Sequence, residues 1–389
     1  MTDAPPPPPP PPSVSPAVIK EMRLLMGILG GVLCAIALLS LCGGGFFLVM
    51  ANLLPGKLLP ELESAAATDE EAKQFLEVIR GFESWVRPHL GSLILGMTVS
   101  ILTGTVLWAW LGIGAIRCRR WARKLLLAAG WAWCGSIVLQ LTAFLVSLPM
   151  MMTAMQRMMP SSPSGGSGWM VMGPSLVIQL VVNLFHYALM AAPGVGLIIL
   201  CSLKNVRLAC EQIDPRPNWT DRVPIEVLPL WVFLVGAALQ MAGTLPFLAP
   251  MAGFLPSLGW NAPALLASGL GATALLVGSA WLIARMSTLG WWLVLTGSVV
   301  GLAYAAFLIQ RLDLLVVIRD VITALPLPEA ERAEVEAELA KESQALEMAA
   351  DWVRGSWLIL AVSGVPFVAY LGWIYRWFTP PPAPAIRLP

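Results

Sequence analysis

Charge is scarce in this sequence, and from eight long stretches it is missing altogether. Asp, Glu, Lys and Arg make up 12% of the 389 residues, where a soluble domain carries about 25%. Residues 24–50, 90–116, 125–148, 172–203, 228–250, 263–284, 289–309 and 356–375 contain none of the four. Each is long enough for the roughly 20 residues a helix needs to cross a bilayer core. Only helices and closed barrels satisfy their backbone in lipid. The expectation is an all-α polytopic membrane bundle with eight transmembrane helices.

Inside those spans the one ionisable side chain besides cysteine and tyrosine is His186. Intramembrane charges cost about 2.5–3.5 kcal/mol each and mark ion paths and proton relays. Their absence argues against proton-coupled pumps, voltage sensors and intramembrane proteases. Histidine occurs only twice, and no HExxH pair, phosphate-cradling loop or nucleophile elbow is present. No catalytic residue or cofactor is implied, and the chain reads as a non-enzyme. A net charge of +1 points to no nucleic-acid partner. Cys34, Cys42, Cys118, Cys134, Cys201 and Cys210 fall in spans or inner segments, so no structural disulfide is expected and no zinc spacing appears.

The charge that exists is sorted. With the N-terminus inside, 14 of the 24 basic residues face inward, and 17 of the 23 acidic ones face outward. The basic count fixes orientation, so both termini are expected in the cytoplasm. The cluster at 117–124 casts the strongest vote. Eighteen arginines against six lysines, with abundant Ala, Gly and Pro, suggest a bacterial source and hence the cytoplasmic membrane.

Residues 1–23 form a Pro-rich cytoplasmic tail, whose run at 5–12 favours polyproline II. Residues 24–203 form a first membrane half and 228–378 a second, each with four helices. Residues 204–227, broken by Pro215 and Pro217, read as a cytoplasmic hinge, and 379–389 is a second Pro-rich tail. Two outer loops carry amphipathic helical patterns. In the first, Thr68 and Glu71 form a capping box ahead of Phe75, Leu76, Ile79, Phe82 and Val86. In the second, Val335, Leu339, Leu346, Ala349 and Val353 share a face opposite Glu334, Glu338 and Glu342. The loops close alike, on Trp85 and Arg87 and on Trp352 and Arg354, as interfacial anchors. Trp131, Leu139, Gln140, Leu145, Leu148 and Met151 recur 100 residues later, and Gly112-Ile113-Gly114 resembles Gly194-Val195-Gly196. A reused helical hairpin would explain both echoes.

Three groups of residues invite chemistry. Gln179, Asn183 and His186 share one face of the fourth span, either as a polar lining or as partners for interhelical hydrogen bonds. Met151, Met155 and Met158 suit Cu(I), or serve as flexible apolar filler. Arg119, Arg120, Trp121 and Arg123 would sit against the anionic inner leaflet as a topological anchor. The motif Arg119-Arg120-Trp121-Ala122-Arg123 before an apolar helix, and the stretch 214–228, resemble features of uncharacterised bacterial multi-pass membrane proteins. That resemblance covers a small part of the chain and implies no activity. The expected role is a membrane scaffold contacting lipids and, through its outer acidic helices, a protein partner. An uncoupled transporter, channel or lipid-handling protein using the fourth span is the alternative, with copper handling behind it.

Overall fold

The computed structural model describes residues 15–66, 70–158, 167–254, 261–311 and 364–379, with positions 316, 333, 337 and 362. Side chains at 44–90, 93, 150–179, 249–254, 308 and 311 lie outside that description. The chain runs through α1 (Pro16–Ala66), α2 (Glu70–Ile116), α3 (Arg120–Met158) and α4 (Ser167–Ser202). Short helices α5 (Lys204–Ile213) and α6 (Trp219–Arg222) follow, then α7 (Leu228–Phe254), α8 (Ala262–Ala284) and α9 (Thr288–Arg311). A last helix at 364–374 ends in a 3₁₀ turn, Tyr375–Trp377. Among the described residues there is no strand.

Among the described residues seven helices are long and apolar enough to cross a membrane, and the chain is an all-α polytopic bundle. Their outward faces need lipid. Phe185 is 69% exposed and Val300 66%, among dozens of large apolar side chains left uncovered. The eighth expected span is helical where it is described, from 364 onward.

Helices outrun the spans. α1 continues through Pro55 and Pro60, while α2 takes the expected surface helix and the second span as one 47-residue element. α3 passes Pro149 and carries the methionine run to Met158 as helix rather than loop. Nucleating a new helix is costly, whereas extending one adds a hydrogen bond for each residue fixed. A span therefore propagates into adjoining sequence that would form only a marginal helix alone.

Among the described side chains, burial concentrates at one end of the bundle, its base. Met26, Leu111, Cys118, Leu125, Val206, Cys210, Val227, Ile283, Trp291 and Ile374 belong to a single buried cluster there. It gathers the start of α1, the ends of α2 and α8, the starts of α3, α7 and α9, and α5. Consecutive helices pair as hairpins, α1 with α2, α3 with α4 and α7 with α8, while α7 also lies against α2 and α3. Close backbone approach sets the first two pairs. A Cβ on Gly30 would fall 2.5 Å from the Gly112 carbonyl oxygen, with Cys34 Sγ alongside. A Cβ on Gly130 would fall 2.8 Å from the Gly194 carbonyl oxygen, with Cys134 Sγ alongside. Small residues permit such van der Waals contact where lipid offers no hydrophobic drive.

Two inter-helix turns, 168 residues apart, repeat one another. The α2–α3 turn places Cys118 at φ 48°, and the α8–α9 turn places Met286, 168 residues later, at φ 54°. In the first, the Cys118 N–H donates to Ala115 O and the Arg119 N–H to Gly114 O, both at 2.9 Å. In the second, Met286 N–H donates to Ile283 O (2.9 Å) and Ser287 N–H to Leu282 O (3.0 Å). Both are Schellman caps. The register holds one turn further on. Arg123 Nη1 donates to Cys201 O at 2.9 Å, and Trp291 Nε1, at the matching position, donates to Leu371 O at 2.8 Å, the acceptors standing 170 residues apart. Gly194 meets Cys134, and correspondingly Gly364 meets Leu302. Four candidate spans, α1 to α4, precede α7, so α1 and α7 run in the same sense through the membrane.

Candidate functional site

The base cluster is capped by residues 204–227, which fold back onto the start of α3. Helix α5 ends at Ile213 because Pro215 and Pro217 cannot continue it, and α6 restarts the chain at Trp219. The Asn218 N–H donates to Asp221 Oδ2 at 2.9 Å and fixes that restart. This geometry aims two carboxylates at the basic run of α3. Asp214 Oδ1 lies 3.3 Å from Arg119 Nη1. Asp221 Oδ1 lies 2.8 Å from Lys124 Nζ and 3.6 Å from Arg120 Nη2. Lys124 also donates to the Thr220 carbonyl at 3.2 Å. Burial pushes the Asp221 carboxyl up. Hydrogen bonds from Lys124 and the Asn218 N–H, with the charges of Lys124 and Arg120, outweigh it and hold the carboxyl below its usual range.

Arg123 points the other way, into the core. It is 7% exposed and meets the end of α4 rather than headgroups. Three thiols lie nearby: Cys118 and Cys210 share a hydrogen bond that lowers the first and raises the second, and Cys201 is buried beside Arg123. No group of three His, Cys, Asp or Glu suited to a metal ion converges among the described residues.

Beside this docking face lies a cavity of about 400 Å³, lined by Trp110, Ile113, Gly114, Arg117, Arg119, Trp121, Asp214, Arg216 and Asn218. Gly114 makes room for it. A Cβ there would fall 2.7 Å from Trp121 Cη2, and without one Trp121 stacks on Trp110 with centroids 4.3 Å apart. Among the described residues Arg117 and Arg216 form no ion pair. Asp214 gives one oxygen to Arg119, while its Oδ2, on a side chain 6% exposed, has no hydrogen-bond partner. Three guanidiniums against one carboxylate leave the lining at net +2. Guanidinium forks match phosphate oxygens, and a buried acceptor oxygen calls for a donor. Trp110 and Ile113 belong to the span Ile94–Ile116 and are themselves exposed, so the cavity borders the bilayer.

Sequence reading reached Arg119, Arg120, Trp121 and Arg123 as one anchor; the structure divides them among a docking face, a cavity wall and the core. It did not link Asp214 or Asp221 to them, although two acids facing a basic run across some 95 residues carry the complementarity. Gln179, Asn183 and His186 do not line the cavity. The Gln179 side chain lies outside the described ones, Asn183 is half-buried, and His186 is exposed at the lipid-facing surface, 5.9 Å from the Tyr187 ring. Met151, Met155 and Met158, with Trp85 and Arg87, have helical backbone and side chains outside the description, and Trp352 and Arg354 lie outside it altogether. The acidic outer helix, positions 333 and 337 apart, falls there too. No family model matches the chain, and comparison with curated proteins and with solved structures gives no match.

Proposed function

We propose that this is a lipid-handling membrane protein that holds a phospholipid headgroup in the cavity between the α2–α3 turn and residues 204–227. The phosphate would sit between Arg117 and Arg216, with a headgroup amine or hydroxyl donating to Asp214 Oδ2 and acyl chains following the exposed face of α2. The role is binding, not catalysis, since no nucleophile and base are paired in the lining. The observation that carries this reading is the pair of arginines with no ion partner among the described residues, beside a buried carboxylate oxygen without a hydrogen bond. It supports lipid handling at the base rather than on the fourth span. We also propose that the base faces the cytoplasm, where anionic lipid is enriched in the adjoining leaflet.

The test is titration of the purified protein in neutral detergent with fluorescent phosphatidylglycerol and phosphatidylethanolamine. Each basic group near an anionic surface contributes about 1 kcal/mol. Arg117→Gln with Arg216→Gln should therefore weaken binding by about 2 kcal/mol, or roughly 30-fold. The docking ion pairs are untouched, so the melting temperature should hold. Equal affinity in the double variant would refute the site. Competition by inorganic phosphate alone at matching concentration would instead identify a soluble phosphate as the ligand.

A further inference from the structure

Three of the six cysteines are buried at the base, and the thiols of two of them share a hydrogen bond. Cys118 closes the α2–α3 turn and is 1% exposed, while Cys210 sits in the last turn of α5 and is fully buried. A second contact fixes the same approach one residue on. The Asp214 N–H donates to Cys210 O at 2.9 Å, and Asp214 Oδ1 lies 3.3 Å from Arg119 Nη1. Residues 118 and 119 are thus met by residues 210 and 214, one turn apart. The Cys118 backbone is left-handed and held so by the Schellman hydrogen bonds of its turn. The pair therefore joins two elements that are distant in sequence and hydrogen-bonded at the point of contact.

Buried thiols are ordinarily inert, and two features set these apart. They are unequal: the hydrogen bond from Cys210 holds the Cys118 thiol below its ordinary value, with burial opposing and the Arg23 charge assisting. The same bond, with burial, pushes the Cys210 thiol up. Cys118 is therefore the attacking sulfur and Cys210 the resolving one. A small solute also has a way in. Arg117 and Arg119, on either side of Cys118, and Asp214, one turn from Cys210, line the cavity of about 400 Å³. Hydrogen peroxide is small enough to enter it.

We propose that Cys118 and Cys210 form a peroxide-responsive dithiol. The Cys118 thiolate attacks one oxygen of hydrogen peroxide and the O–O bond breaks. The departing hydroxide takes up the proton that Cys118 gave up and leaves as water, so that Cys118 becomes a sulfenic acid. The Cys210 sulfur then attacks the Cys118 sulfur: the S–S bond forms, the S–O bond breaks, and the hydroxyl leaves with the Cys210 proton as a second water. The two thiols are oxidised by two electrons and one peroxide is reduced to two waters. The bond ties the α2–α3 turn to the end of α5, which lead into the two walls of the cavity. Met286 stands in the matching turn of the second half, which has no thiol there. This inference does not depend on headgroup binding.

The experiment treats the reduced full chain in detergent with hydrogen peroxide, blocks the remaining thiols and maps the peptides. A Cys118–Cys210 disulfide should appear and be reversed by dithiothreitol, with Cys201 still free. Cys210→Ser should arrest the reaction and leave Cys118 as a sulfenic acid that dimedone captures, whereas Cys118→Ser should leave Cys210 unmodified. Denaturing the protein before peroxide should abolish the preference for this pair. Recovery of both thiols unmodified from the folded protein, at a peroxide level that oxidises the exposed Cys42, would overturn the proposal. So would a bond from Cys210 to Cys201, or dimedone capture at Cys210 in place of Cys118.

Discussion

At the residue scale the base is governed by carboxylates that do not share their surroundings equally. Asp221 is held by Lys124, Arg120 and a backbone N–H, and its carboxyl lies below the ordinary 3.8. A depressed folded value means that this stabilisation is complete above the unfolded pKa and is lost as pH falls through the folded one. Asp221→Asn should cost about 1–3 kcal/mol at neutral pH by leaving Lys124 unpaired. The gap in melting temperature between the two proteins should then shrink below about pH 4. A gap that stays constant from pH 7 to pH 3 would mean Asp221 acts through packing instead. Arg119 and Arg120 could be marked as important from the sequence, but their partners lie some 95 residues away, across a helical hairpin. Only the fold brings them together. Arg123 shows the same limit: its neighbours in sequence are surface cations, while its own guanidinium is inside, where the repeat places Trp291.

At the element scale, glycine position decides how helices approach. Gly130 abuts Gly194 across the α3–α4 pair, whereas Gly135, little more than a turn later, has nothing within 4 Å. Gly130→Val should push α4 away and lower the melting temperature by an amount expected of an overpacked core, about 1–3 kcal/mol. Gly135→Val should leave it within about 0.5 kcal/mol. Equal effects of the two would remove the close contact as the determinant of the hairpin. The spans themselves were legible because lipid imposes a length and an apolar composition that few other environments demand. The helix ends beyond them were not. Pro55, Pro60 and Pro149 look like stops in sequence, and within a helix already formed they are carried along.

At the scale of the whole molecule, the repeat explains why the base differs between halves. Leu282 stands where the first half has Gly114, and Leu289 where it has Trp121. The glycine and tryptophan that shape the cavity in the first half are thus both replaced by leucine in the second. Echoes at 100 residues were visible in the sequence; the 168-residue register was not, because it rests on turn conformation and hydrogen bonding more than on identity. The proposed orientation is argued from charge at the same scale. Arg117, Arg119, Arg120, Lys124, Arg207, Arg216, Arg222, Arg285 and Arg376 all belong to the base. Basic residues near span ends are retained on the cytoplasmic side, and translocating so many would oppose the membrane potential by about 2.3 kcal/mol per charge per 100 mV. Gln212, exposed near the end of α5, reports on that end. Gln212→Cys in a Cys42→Ser background should stay unlabelled by an impermeant maleimide in intact spheroplasts and label in inside-out vesicles. Labelling in intact spheroplasts would place the base outside, and the headgroup cavity would then open to the opposite leaflet.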